Sequence, residues 1–174
     1  LLGEALNRAS AAVYERARQD PSLSRMGATA VVALIVGRQL FVANVGDSRA
    51  YLINREGICR LSRDHTVIAE LIERGELDER EARTHPARGQ LTRNIGARPR
   101  VEAHFCHRRL EPGDMVLLCS DGLPEVVDES EIQRTALEAE DFHLACQRLV
   151  NLANGRGGPD NVTVVITGGV GGAS

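Results

Sequence analysis

Three aspartates sit where an apolar run meets a tight turn. They are Asp47 in Asn44-Val45-Gly46-Asp47-Ser48-Arg49, Asp121 in Leu118-Cys119-Ser120-Asp121-Gly122-Leu123, and Asp160 in Gly158-Pro159-Asp160-Asn161-Val162. A carboxylate at a strand end is held rigidly and still reaches solvent. Several converging on one sheet edge would make a hard, anionic, oxygen-only site, which suits Mg²⁺ or Mn²⁺ and not a soft metal. Such a site is the starting point for metal-assisted hydrolysis. An aspartate beside glycine is also ordinary turn chemistry, so the weight rests on joint placement.

Other residues offer weaker chemistry. Gly155-Arg156-Gly157-Gly158 has the look of a phosphate-cradling loop, but it lacks a Gly-Lys-Ser/Thr ending and precedes a strand rather than a helix. In a strand, His104 and Cys106 point to one face and His107 to the other, with no second ligand pair for zinc. Asp64-His65 is either an acid/base pair or a helix start, and a cap at Asp64 is the favoured reading. Arg88 and Arg93 are either phosphate contacts or solvated surface. No Ser-His-Asp or cysteine-based nucleophile stands out.

The elements that must position these groups can be traced along the chain. Leu2, Ala5, Leu6, Ala9 and Val13 predict an amphipathic helix over 1–19 that starts without a capping residue. The runs Ala28–Val36, Leu40–Val45, Ala50–Ile53 and Ile58–Leu61, joined by short Gly- and Asn-bearing turns, predict an antiparallel meander. The first run is apolar nearly throughout, which predicts cover on both faces. Residues 65–84 predict two short helices, with Gly75 ending the first and Asp78 capping the second. A polar insert over 86–100 precedes strands at Val101–Arg108 and Met115–Cys119, with Glu111-Pro112-Gly113-Asp114 as the turn between them. Helices follow at Glu129–Leu137 and Asp141–Asn154, then a strand at Asn161–Thr167 and a Gly-rich tail over 168–174, expected to be disordered. Strands grouped with strands and helices with helices predict an α+β fold with helices on a largely antiparallel sheet. If the strands at 115–119 and 161–167 are antiparallel, Asp121 and Asp160 share one edge, which Asp47 can join.

The totals agree. The chain has 174 residues, 43% hydrophobic and only 3% aromatic, so one domain with an aliphatic core is feasible. A net charge of −3 with mixed signs argues against a nucleic-acid partner. Cys59, Cys106, Cys119 and Cys146 form no C-x-x-C pair and read as free thiols in a reducing, cytoplasmic compartment. The longest apolar run is far too short for a membrane span.

Val45-Gly46-Asp47-Ser48-Arg49-Ala50-Tyr51, Leu118-Cys119-Ser120-Asp121-Gly122-Leu123 and Gly157-Gly158-Pro159-Asp160-Asn161-Val162-Thr163 occur in that order, with Met26-Gly27-Ala28-Thr29 and Leu91-Thr92-Arg93-Asn94-Ile95-Gly96 between and before them. Together these motifs strongly resemble the PPM (type-2C) metal-dependent serine/threonine protein phosphatases, particularly the compact bacterial form. The resemblance covers residues 1–167. It implies a sandwich of two antiparallel β-sheets flanked by helices, with Mn²⁺ or Mg²⁺ at one end. It implies that Asp121 and Asp160 ligate a two-metal centre, that Asp47 and Asp121 hold a possible third metal, that Asn161 supports the site, and that residues 64–95 form a flap beside the substrate. The implied activity is hydrolysis of phosphoserine and phosphothreonine in protein substrates by metal-activated water, opposite a serine/threonine kinase.

The chain departs from the pattern at its start. The family's Asp-Gly-x-Gly-Gly motif, whose aspartate bridges both metals, and an upstream phosphate-binding arginine do not occur. The chain is therefore expected to be the later part of something longer, with weak or no activity alone. The competing expectation is a catalytically inactive phosphatase-like domain that serves as a regulatory or partner-binding module. A calcium-binding structural protein is disfavoured, since there is no EF-hand loop.

Overall fold

The computed structural model describes residues 1–82 and 84–168. They sort into two compact units whose segments interleave along the chain. The first comprises Leu1–Ala30, Ala43–Asp47 and Arg63–His104; the second comprises Val31–Val42, Ser48–Ser62 and the chain from Phe105 on.

The second unit carries the whole of one sheet and most of the other. Strands β1 (Ala30–Val36), β2 (Gln39–Val45) and β5 (His104–Arg109) form one sheet in the order β1-β2-β5. Strands β3 (Arg49–Asn54), β4 (Gly57–Arg60), β6 (Met115–Cys119) and β7 (Val164–Gly168) form the other in the order β4-β3-β6-β7. The pairs β3/β4, β3/β6 and β6/β7 are antiparallel. The predicted meander is thus two hairpins in different sheets. The chain leaves the first sheet at Gly46-Asp47-Ser48 and enters the second at Arg49. Short connections look alike whether the next strand pairs in the same sheet or in the facing one, so local patterning could not separate them.

Period-two alternation builds two cores. Ala50, Val116, Leu52 and Leu118 pack with Leu40, Val42, Leu61 and Leu110 between the sheets. Tyr51, Ile53, Met115, Leu117 and Cys119, one residue out of phase, pack against Leu123, Val127, Ile132, Leu149 and Ala153. Those last residues come from the turn after β6 and from helices α4 (Glu129–Glu138) and α5 (Phe142–Gly155). Asp141 caps α5 by accepting from the Leu144 amide at 2.7 Å. The fold is the expected sandwich of antiparallel sheets with helices packed on it. β1 is half-buried over 30–35, and Val36 is 59% exposed rather than covered.

The first unit is built around α1 (Leu2–Gln19), α2 (Val67–Glu73) and α3 (Glu79–Ala82). The buried face of α1 matches the predicted one in part: Leu6 is buried and Leu2 and Val13 are half-buried, but Ala5 and Ala9 are exposed and Ser10 is buried. Ser10 is polar but satisfied. Its hydroxyl donates to the Arg98 carbonyl at 2.6 Å and accepts from the Gly96 amide at 3.0 Å. Thr66, not Asp64, caps α2, accepting from the Ala69 amide at 3.1 Å. Asp78 caps α3 as predicted, accepting from the amides of Arg80 and Glu81 at 2.8 and 2.7 Å. Residues 68–89 leave and return through one stem: Val67 N–H donates to the Gln90 carbonyl and Thr92 N–H to the His65 carbonyl, each at 2.9 Å.

Two boundaries differ at the far end. The last strand starts at Val164, not Asn161, and Gly168 closes it opposite Met115 instead of opening the tail. Residues 169–174 of the expected tail lie outside the described residues. All four cysteines are free.

Candidate functional site

Two motifs lie in the first unit and two in the second, and the Val45–Tyr51 motif is divided between them after Asp47. In the second unit, β6 and β7 run antiparallel with Cys119 opposite Val164. Asp121 follows one strand end and Asp160 precedes the other, so the two carboxylates occupy the same sheet edge. The loops bearing them are laced together. Ser120 N–H donates to the Thr163 carbonyl at 3.1 Å. The Ser120 hydroxyl donates to the Asn161 carbonyl and accepts from the Thr163 amide, each at 3.0 Å. Gly122 lies so close that a Cβ there would stand 2.7 Å from the Asn161 carbonyl oxygen and 3.3 Å from that of Asp160. Only glycine allows that approach. Asp121 is half-buried and Asp160 exposed; Asp160 Oδ1 accepts from the Asn161 amide at 2.6 Å.

Arg49 starts β3 directly opposite Cys119, and so places a cation on this same edge. Its Nη1 donates to the Tyr51 hydroxyl at 3.3 Å. Burial pushes the Tyr51 phenol up to about 12, against the opposing pull of Arg49. Tyr51 is therefore a neutral phenol at physiological pH.

In the first unit, Asp47 follows Gly46 in a turn clamped from two sides. Gly46 has φ +95°, and a Cβ there would meet Thr29 Cγ2 at 2.4 Å, so the position demands glycine twice over. His65 N–H donates to the Gly46 carbonyl at 3.0 Å, and the Gly46 amide donates to His65 Nδ1 at 3.2 Å. Asn44 Nδ2 donates to the carbonyls of Gly46 (3.3 Å) and Arg63 (2.7 Å), while Asn44 Oδ1 accepts from the Arg63 amide at 3.2 Å. Asn44 and His65 are buried. Burial, then the cations Arg93 and Arg63 with His104, drive His65 down to about 4, although Asp64 opposes them. His65 is thus a neutral acceptor that shapes the Asp47 turn. The paired bridge Ala28↔Ile95 joins the 26–29 and 91–96 motifs in the same unit.

The structure therefore brings Asp121 and Asp160 together in one unit and sets Asp47 in the other. Among the described residues no group of three or more His, Cys, Asp or Glu side chains is placed to hold a metal. Two carboxylates on one edge still fit a hard divalent cation, because Mg²⁺ is commonly held by one or two carboxylates and fills its remaining positions with water and phosphate oxygens.

Among the weaker candidates, Arg156, His107 and Arg93 have structural partners. Arg156 donates to the Val126 carbonyl at 2.7 Å and pairs with Glu131, which ties the Gly-rich loop to α4. His107 stacks on Phe41 with ring centroids 4.7 Å apart and bonds Gln39 at 2.6 Å. Arg93 donates to the Glu102 carbonyl at 3.2 Å. Sequence reasoning missed Ser120, Gly122, Arg49 and Asn44 as parts of these sites, and weighed His65 only with Asp64 as an acid/base pair. The available signal was their place inside the motifs, or in the next turn, but a lone polar side chain does not announce its partner.

Known proteins point the same way. A family model described as Protein phosphatase 2C matches residues 2–74. The serine/threonine phosphatase stp of Listeria innocua is 34% identical over 150 residues, which is 86% of this chain and 60% of the relative. The chain thus spans 60% of that curated relative's length. A crystal structure of a bacterial serine phosphatase superposes with a TM-score of 0.93 at 32% identity, covering 99% of this chain and 70% of that one. The catalytic domain of the phosphatase PstP, in complex with two manganese ions, superposes with a TM-score of 0.84 at 32% identity over 95% of this chain and 68% of that one.

Proposed function

The chain belongs to the protein phosphatase 2C (PPM) family, and from that membership we propose that its protein hydrolyses phosphoserine and phosphothreonine in protein substrates with Mn²⁺ or Mg²⁺. The observation that carries this reading is the Asp121/Asp160 edge, where the loops that carry two hard oxygen donors are laced together by backbone and Ser120 hydrogen bonds. Asp121 and Asp160 would hold divalent ions at this edge. Metal bound there supplies Lewis-acid activation of water and neutralises charge on the phosphoryl oxygens.

The chain's own residues do the rest. Asp121 and Asp160 would orient the ions, and Arg49 adds positive charge at the same edge. Ser120 is no nucleophile in this scheme, since its hydroxyl is engaged on both sides by the Asn161–Thr163 backbone. Its partner enzyme in the cell is a serine/threonine kinase acting on the same substrates, in the cytoplasm. No helix among the described residues is long and apolar enough to cross a membrane.

The absence of a three-carboxylate cluster among the described residues is the one observation that favours a non-catalytic, partner-binding phosphatase-like domain instead. Hydrolysis of a phosphothreonine peptide separates the two. Phosphate release that requires Mn²⁺ and stops with EDTA is expected of the protein that carries this chain. A folded protein that releases none, in Mn²⁺ or Mg²⁺, would select the binding module.

A further inference from the structure

We propose that Ser120 is the positioning residue that sets Asp121 and Asp160 in register for a shared divalent cation. This rests on the metal reading above and assigns the spacing of the two carboxylates to one hydroxyl.

The β6/β7 ladder has its last paired residues at Cys119 and Val164. One step further, Ser120 N–H still reaches the Thr163 carbonyl. Beyond that the strands separate into their loops, and the Ser120 side chain takes over from the backbone. It accepts from the Thr163 amide and donates to the Asn161 carbonyl, so one oxygen closes two bonds across the gap. Asp121 is the next residue on one side, and Asp160 directly precedes Asn161 on the other. Gly122 then seats against the Asp160 and Asn161 carbonyls. The hydroxyl is therefore the last directed link before the two carboxylates.

That link matters most before the metal arrives. Two like-charged side chains have no attraction of their own to hold them together, so the loops that carry them must set their spacing. A clasp that holds the loops together keeps the donors arranged for the cation, which then need not spend binding energy on drawing them in. Partners that orient ligands in this way typically change metal affinity by about 10- to 100-fold when removed. A hydroxyl both donates and accepts. Threonine keeps both roles, whereas alanine keeps neither.

The test compares wild type with Ser120→Ala and Ser120→Thr, using Mn²⁺ itself as the probe and the electron paramagnetic resonance signal of free Mn²⁺ as the readout. Asp160→Asn identifies which binding event belongs to this edge. Hydrogen exchange of the Thr163 amide in metal-free protein reports the clasp alone. The expected result is an Mn²⁺ dissociation constant raised about 10- to 100-fold in S120A and restored in S120T, with Thr163 exchange accelerated only in S120A. Unchanged Mn²⁺ affinity in S120A overturns the proposal, whether or not the amide becomes faster, because the clasp would then hold loops without setting ligands. Wild type that takes up no Mn²⁺ overturns both the metal reading and the ligand-setting role. In that case unaltered Thr163 exchange in S120A would remove the clasp as well.

Discussion

Lowering the pH should weaken the first unit through His65. The ring is 3% exposed and held at about 4 by burial and by nearby cations, against 6.5 for an ordinary histidine. The folded protein therefore resists a proton that the unfolded chain accepts. The sign follows directly: the unfolded state binds more protons between those values, so stability falls as pH drops through 6.5 and stops falling near 4. At 1.36 kcal/mol per pH unit, the full interval corresponds to about 3 kcal/mol, of which about 2 kcal/mol is lost between pH 7 and pH 4.5. Carboxylates titrate over part of the same range, so wild type must be compared with a variant lacking the imidazole. His65→Asn is suitable, because its side-chain oxygen can stand in for Nδ1 as acceptor of the Gly46 amide. Urea unfolding at pH 7, 5.5 and 4.5 measures both proteins. The expected outcome is a stability difference, wild type minus H65N, that shifts against wild type by about 2 kcal/mol across that range. Parallel pH profiles would show that His65 protonates freely in the folded state, and would refute its reading as a buried neutral acceptor.

Two further outcomes follow from the second unit. Gly122→Ala forces its Cβ onto the Asn161 carbonyl, 2.7 Å away in the present geometry. Relief requires the two loops to part, so the unfolding free energy should drop by about 1–3 kcal/mol and Mn²⁺ affinity should fall with it. An unaltered Mn²⁺ titration would mean that the close approach has no bearing on the metal. Asp114→Ala tests the opposite end of β6. The buried Asp114 carboxylate accepts from Asn54 Nδ2 at 2.9 Å and from the Glu111 amide at 2.8 Å, so its loss should cost about 2–3 kcal/mol in urea unfolding. Because Met115 and Cys119 bound the strand between Asp114 and Asp121, Mn²⁺ affinity should stay at the wild-type value.

The shared edge of Asp121 and Asp160 was legible in the sequence. A strand that ends before Asp121 and another that begins after Asp160 put both carboxylates on one edge as soon as the strands pair antiparallel, as they do. What could not be read was tertiary. The short turns at Gly37 and at Gly46-Asp47 look equivalent in sequence, yet the first keeps the chain in its sheet and the second delivers it to the facing one. Ser10 breaks the apolar pattern of α1 because its hydroxyl finds backbone partners 86 and 88 residues away. Thr66 displaced Asp64 as the cap of α2 because the helix begins two residues later than the acidic side chain can serve. Ser120 and Asn44 act through backbone groups 41 and 19 residues distant, and no local pattern encodes such a partner.

The most direct test of the central claim is Mn²⁺-dependent phosphate release from a phosphothreonine peptide by wild type, Asp121→Asn and Asp160→Asn, with folding of each checked by thermal melting. Each substitution keeps the size of the side chain and removes its charge. The expected result is activity in wild type that rises with Mn²⁺ and collapses by at least about 100-fold in either variant, whose melting without metal stays close to wild type. Turnover that survives in both variants at the wild-type Mn²⁺ requirement would contradict the assignment of the metal to this sheet edge.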